Sequence, residues 1–242
     1  GKYMKQKIAL VTGSNKGIGY GLVKELAKAG YEVWLGARNA DLGQKAASEL
    51  GDQVHFLPLD VTDDKSVAAA AKIFSAKRQH LDLLVNNAGI YLADKDTLPS
   101  KTSIDTVKEV YEVNLFGPIR VAQAFLPLIK KSQEGKILNV SSGLGSHTLA
   151  LDHSPSGFAG VNVLGYNTSK SALNMFSALL SNELRDSKIA VNSICPGYVA
   201  TDLNGQSGHL TVEESAQGIM EFVNRDGFTT GHFIKKGGEH PW

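Results

Sequence analysis

Cysteine is almost missing from this chain: Cys195 stands alone among 242 residues. That excludes an internal disulfide and any metal site built from several thiolates. Neither sign of charge is in excess. The 25 Lys and Arg residues against 24 Asp and Glu leave a net charge of +1, so there is no electrostatic basis for binding nucleic acid or an anionic membrane surface. No apolar run approaches the roughly 18 residues of a membrane span, and the N-terminus lacks the apolar core of a secretory signal. The expected setting is cytoplasmic and reducing. No repeat, low-complexity tract or linker divides the sequence, so residues 1–242 read as one domain; Gly1–Tyr3, which precede Met4, are set aside in the fold argument.

What the chain does contain is alternation. Short aliphatic runs at Lys7–Thr12, Tyr31–Ala37, Val54–Leu59, Leu81–Asn86, Lys136–Ser141 and Lys188–Ile194, with a short one near Gly231–Ile234, read as strands. Between them lie amphipathic stretches. Ile18, Leu22, Val23 and Leu26 recur at helical spacing until Gly30; further helices are expected over Ala40–Leu50, Val67–Phe74, Ile104–Lys131 (long or broken), Tyr166–Arg185 and Thr211–Val223. Strand and helix in alternation imply right-handed crossovers and parallel pairing. Near-continuous apolar strands imply a sheet covered on both faces. The expected fold class is α/β: a Rossmann-type doubly wound parallel sheet of about seven strands with helices on both faces.

The first strand runs through Thr12-Gly13-Ser14-Asn15-Lys16-Gly17-Ile18-Gly19 directly into a helix. Glycines at this point permit a tight turn and let backbone N–H groups approach a pyrophosphate, which the helix N-terminus also attracts. The spacing is G-x-x-x-G-x-G rather than G-x-G-x-x-G. Such a turn can also be ligand-free; its place after the first strand of a βαβ unit favours a dinucleotide. In the common fingerprint an acid about 20 residues on binds the ribose 2′-OH, whereas the second strand here ends Gly36-Ala37-Arg38-Asn39. Lys16 and Arg38 are either two solvated cations or a clamp for a 2′-phosphate. The missing acid favours NADP(H) over NAD(H).

Tyr166-Asn167-Thr168-Ser169-Lys170 places a phenol and an ammonium on one helix face at i and i+4. An ammonium beside a tyrosine favours the phenolate and lowers a pKa that is otherwise near 10. On an exposed helix the same pair would be ordinary surface chemistry. Ser141-Ser142 end the fifth strand, at the carboxyl edge where open α/β sheets bind ligands, and a hydroxyl there can hold a carbonyl oxygen as it gains charge. Asn114 lies in the helix after Asn86-Asn87-Ala88-Gly89 and is either plain surface or a holder of a relay water. His147 and His153, in the segment Gly143–Gly165, have no carboxylate at ligand spacing, so no metal site is expected. Cys195 reads as a small buried apolar group, Tyr198 as pocket wall or packing, and Trp242 as terminal packing.

In this order TGSNKGIG, LDVT, NNAG, Asn114, NVSS, YNTSK and CPGYVATDL resemble the short-chain dehydrogenase/reductases over nearly the whole chain, and within them the carbonyl reductases. The resemblance implies that Tyr166 is the general acid, that Lys170 lowers its pKa and binds the nicotinamide ribose, that Ser142 rather than Ser141 holds the carbonyl, and that Asn114 carries a water chain. It implies cofactor contacts from Gly13, Ser14, Asn15, Lys16, Gly17, Ile18, Gly19 and Arg38. Asp60 and Val61 would meet the adenine end, Asn87, Ala88 and Gly89 the adenosine side, and Pro196, Gly197, Val199 and Thr201 the carboxamide. Ser142 and Tyr166 are 24 positions apart, longer than in most relatives and shorter than in animal carbonyl reductases, whose insertion covers helix faces used for tetramer assembly. A monomer or homodimer is therefore expected. The expected substrate is a small carbonyl or alcohol. An enoyl or quinone reductase, or an NADP(H)-sensing protein without chemistry, are the competing readings.

Overall fold

The computed structural model describes residues 5–197 and 210–242. The strands are β1 (Ile8–Val11), β2 (Glu32–Ala37), β3 (Val54–Pro58), β4 (Leu83–Asn86), β5 (Lys136–Val140), β6 (Ala190–Ile194), β7 (Phe233–Lys235) and β8 (Gly238–Glu239). They form one sheet in the order β3-β2-β1-β4-β5-β6-β7-β8. Every neighbouring pair is parallel except β7 and β8. The chain winds outward from β1 in one direction and from β4 in the other, which leaves a crevice at their carboxyl ends, where doubly wound sheets bind ligands.

Side chains alternate across β1. Ile8 and Leu10 join Trp34, Leu84, Phe74, Phe125, Leu180 and Val191 on one face, under α3 (Asp64–Lys77), α5 (Gly117–Ile129) and α7 (Leu164–Glu183). Ala9 and Val11 join Leu22, Leu26, Val33, Val85, Ile219 and Val223 on the other, under α1 (Gly17–Lys28), α2 (Ala40–Leu50) and α8 (Val212–Val223). Trp34, Phe74 and Phe125 pack edge to face at 5.0 and 5.8 Å between centroids.

Several boundaries differ from the sequence reading, each for a local reason. Among the described residues there are eight strands rather than about seven, because two residues after Gly237 turn back against β7, too short a run to show a pattern. The strand expected from Lys188 begins at Ala190, since Lys188 adopts φ +56°. Asp63 caps α3 and starts it at Asp64 instead of Val67. The Ile104–Lys131 helix is α4 (Ile104–Tyr111), a π-helical turn (Glu112–Phe116) and α5. A 3₁₀ turn (Gly143–Gly145) and the short α6 (His147–Ala150) lie within the segment Gly143–Gly165, and α7 starts at Leu164 instead of Tyr166.

Helix starts divide into two kinds. Asn39, Asp63, Ser103, Ser146 and Thr211 accept hydrogen bonds from first-turn amides of α2, α3, α4, α6 and α8. Apart from α5, which continues the π-helical turn, the α-helices whose N-caps make no side-chain cap bond are α1 and α7, with Lys16 and Val163 at that position. Those two helices open at the candidate site.

Candidate active site

The turn after β1 is built by close packing. Gly13, at φ +58°, has Ala88 Cα 2.8 Å from where a Cβ would sit, and at Gly19 a Cβ would lie 2.5 Å from Asn87 Nδ2. Gly17, at φ +62°, instead faces open space. Thr12 Oγ1 accepts from the Asn87 and Ala88 amides at 3.0 and 3.1 Å, and Asn87 Nδ2 donates to the Thr12 and Gly13 carbonyls at 3.2 and 3.1 Å. The end of β4 thus shapes the turn. Ser14 is fully buried, its hydroxyl donates to Val11 O at 2.8 Å and its amide to Gly36 O at 3.0 Å, so both secure the turn rather than face a ligand. No acid and no side-chain cap occupies the first turn of α1, which leaves its amides open to an anion.

Lys16 and Arg38 are exposed and form no ion pair among the described residues. Asn39, next to Arg38, is taken up by capping α2. Asp60 Oδ1 accepts from Thr62 N and Oγ1 at 3.0 and 2.7 Å, shaping the loop after β3. Val61 is buried against Gly117. Asn15 and Ile18 are half-buried on the turn. Pro196 O accepts from Ser215 Oγ at 2.9 Å, and Gly197 adopts φ +83° against Leu210. Tyr198, Val199 and Thr201 lie outside the described residues.

On α7, Tyr166 and Lys170 face inward rather than to solvent. Lys170 is 5% exposed, its Nζ donates to Val140 O at 3.0 Å and lies 5.7 Å from the Tyr166 ring centroid. A Cβ on Gly89 would stand 3.5 Å from both Lys170 Nζ and Asn114 Oδ1, so the ends of β4 and β5 and the π-helical turn converge on the ammonium. Ser141 is consumed by a 2.7 Å bond to Asn174 Oδ1. Ser142 Oγ accepts from Leu144 N at 3.1 Å, which leaves its O–H free to donate, and its influence on the Tyr166 phenol is to lower the phenol's pKa. Asn114 is fully buried: Oδ1 accepts from Ile90 N at 2.8 Å, and Nδ2 donates to Ile90 O and Ser169 Oγ at 3.0 and 3.1 Å.

Burial, not the ammonium, sets the acidities in the site. Desolvation pushes the Tyr166 phenol up to about 12, with the Cys195 thiol adding to the rise and the Ser142 bond opposing it. The same desolvation pulls Lys170 down to about 8. The expectation is that Lys170 brings Tyr166 below its ordinary value; here the cost of burying a phenolate dominates instead. Cys195, pushed up by burial, stays a thiol, in keeping with an apolar role.

Sequence reasoning passed over two neighbours. Tyr91 packs edge-on to Tyr166 at 5.5 Å. Asp96, 1% exposed, accepts from the Gly165 and Tyr166 amides at 2.8 Å each. Its partners are 69 and 70 positions away, so no local pattern could show the contact. His147 and His153 are exposed, and among the described residues no group of three potential ligands could hold a metal. Trp242 stacks on Phe233, and its carbonyl accepts from Ser146 Oγ at 3.0 Å. A cavity of about 450 Å³ lined by Lys7, Lys136, Ala190 and Phe222 lies at the amino ends of the strands, the opposite edge from Tyr166.

The family model described as short chain dehydrogenase matches residues 7–210. The short-chain dehydrogenase anuI of Penicillium roqueforti is 32% identical over 223 residues, covering 88% of this chain and 86% of that protein. The NADPH-bound carbonyl reductase from chicken fatty liver superposes with a TM-score of 0.85 at 32% identity, covering 99% of this chain and 100% of the other. A 3-ketoacyl-(acyl-carrier-protein) reductase from Brucella melitensis, complexed with NADH, gives 0.82 at 25% identity over 96% and 97%. The chain belongs to the short-chain dehydrogenase family. Within it the protein is carbonyl reductase-like.

Proposed function

We propose that this chain is an NADPH-dependent oxidoreductase that reduces the carbonyl of a small aldehyde, ketone or quinone to the alcohol, reversibly. The observation that carries the reading is the enclosure of Lys170 beside Tyr166 at the carboxyl edge of the sheet, where Ser142 also follows the end of β5. A nicotinamide dinucleotide fits the residues present: Gly17 opens to space, the first turn of α1 is uncapped, and Lys16 and Arg38 stand where an acid would otherwise select NAD(H). Relatives of this fold hold NADPH or NADH, so the NADP(H) preference rests on those two cations. When bound, the nicotinamide supplies or accepts the hydride.

The protein's own work is to hold the carbonyl and move the proton. Ser142 donates to the carbonyl oxygen as charge gathers there. Tyr166, kept protonated by its burial, gives its proton to that oxygen. Lys170 in its charged form stabilises the phenolate left behind and would hold the cofactor ribose. Asn114 spends its side chain on Ile90 and Ser169, so the water-relay role expected of it does not fall to its side-chain amide.

The expected assembly remains a monomer or homodimer, although the segment Gly143–Gly165 leaves Met175 and Leu179 of α7 exposed at 60% each and so does not itself cover that helix face. Gel filtration at the mass of a tetramer would reject both. No described helix is long and apolar enough to cross a membrane, in keeping with a cytoplasmic enzyme. NADPH oxidation measured against a panel of aldehydes, ketones and quinones tests the main reading: turnover of at least one carbonyl class supports it, and silence across the panel favours a nucleotide-sensing protein.

A further inference from the structure

We propose that Asp96 is a positioning residue for Tyr166: a carboxylate supplied from the loop after β4 fixes the first turn of α7 and so the place of the phenol. The inference rests on the reading of Tyr166 as general acid. Asp96 is 1% exposed and has no cationic partner among the described residues. Burying an unpaired carboxylate is costly unless hydrogen bonds and a compensating field replace water. Both are present: Oδ1 accepts from Gly165 N, Oδ2 accepts from Tyr166 N, each at 2.8 Å, and the charge sits on the N-terminus of a 20-residue helix.

A local cap would satisfy those amides with less burial, yet the N-cap position is Val163, which has no side-chain acceptor. The two-oxygen grip also constrains more than a cap does. Holding consecutive amides, one of them that of Tyr166, restrains both the translation and the rotation of the turn that carries the phenol. Gly165 belongs to the same arrangement, since a Cβ there would stand 2.9 Å from Asp96 Oδ2. The loop that brings Asp96 is itself tied to the site. Ile90 holds both ends of the Asn114 amide, Tyr91 packs against the Tyr166 ring, and Thr97 O accepts from Leu164 N at 2.9 Å. One segment thereby registers Asn114, the Tyr166 ring and the Tyr166 backbone against each other.

The test is single-turnover hydride transfer in the intact protein, with NADPH and a carbonyl that the wild type reduces. Asp96→Asn keeps the side-chain shape but puts an amide N–H against a backbone N–H; Gly165→Ala pushes the carboxylate away without removing it. In both variants the first-order rate constant should fall about tenfold or more, since misplacement by an ångström is enough for such a loss. The amplitude per folded protein and the NADPH Kd should stay within twofold. A rate constant equal to wild type, with only the amplitude or melting temperature reduced, would overturn the proposal and leave Asp96 as a stabilising cap. Failure of the wild type to turn over any carbonyl would instead reject the catalytic reading itself.

Discussion

At the scale of single residues, the site is organised by what burial does to two titratable groups. Lys170 is drawn down to about 8 and Tyr166 pushed up to about 12, both by desolvation. The consequence for pH is directional. Reduction needs a protonated phenol and a charged lysine, so kcat/KM for reduction should be level near neutrality and fall as pH rises through about 8, where the free enzyme's Lys170 loses its proton. Alcohol oxidation, which needs the phenol deprotonated, should gain rate as pH increases. Initial-rate profiles in both directions check this; a reduction profile level to pH 10 would contradict it. Arg38 carries the cofactor preference. Arg38→Asp removes a charge-assisted bond worth about 1.5–3 kcal/mol and adds repulsion, so the NADPH-over-NADH ratio of kcat/KM should drop by at least about tenfold. An unchanged ratio would mean that Arg38 is a solvated surface cation.

At the scale of elements, two helix N-termini do different work with the same lack of a local cap. α1 is left open, with Gly17 facing space, whereas α7 is closed by Asp96. The open turn was legible in the sequence, because glycine spacing between a strand and a helix has few structural uses. The closure was not, because nothing near Gly165 or Tyr166 signals a partner brought in by another loop. The π-helical turn was also hidden: hydrophobic spacing over Ile104–Lys131 shows a helix but not its change of hydrogen-bond register. The place of Ser14 in the turn suggests a ligand contact, whereas its hydroxyl is turned inward onto Val11 O. A direct check on the turn is Gly19→Ala. Its Cβ would meet Asn87 Nδ2 at 2.5 Å and Gly13 O at 2.8 Å, so overpacking should destabilise the protein by about 1–3 kcal/mol and weaken NADPH binding at least tenfold. Wild-type affinity and melting temperature would show that the turn has slack.

At the scale of the whole molecule, the sheet brings to one edge residues that are far apart in sequence, with an apolar core packed on each of its faces. The order of strand and helix was sufficient to predict the doubly wound sheet, since it follows from periodicity and crossover handedness alone. The edge strand β8 and the path of Gly143–Gly165 were not predictable, as they depend on contacts such as Trp242 with Phe233 and Ser146. Stability should carry the imprint of the site. Because the folded pKa of Lys170 lies below its unfolded value, the unfolded chain binds the extra proton between pH 8 and about 10.5, and ligand-free stability attributable to Lys170 rises across that window. Comparing wild type with Lys170→Met by thermal melting should show this slope in the wild type only, with a total on the order of 3 kcal/mol at most. Parallel curves would indicate that Lys170 stays charged when buried.

The claim on which the account turns is that the Tyr166 phenol delivers the proton while other groups hold the cofactor. The most direct measurement is turnover of an active carbonyl substrate by Tyr166→Phe, set beside NADPH affinity from fluorescence titration. The account predicts a loss in kcat of about 10²–10⁴-fold with Kd for NADPH within a few-fold of wild type. A variant that keeps its turnover, or loses it only in proportion to lost NADPH binding, would contradict it.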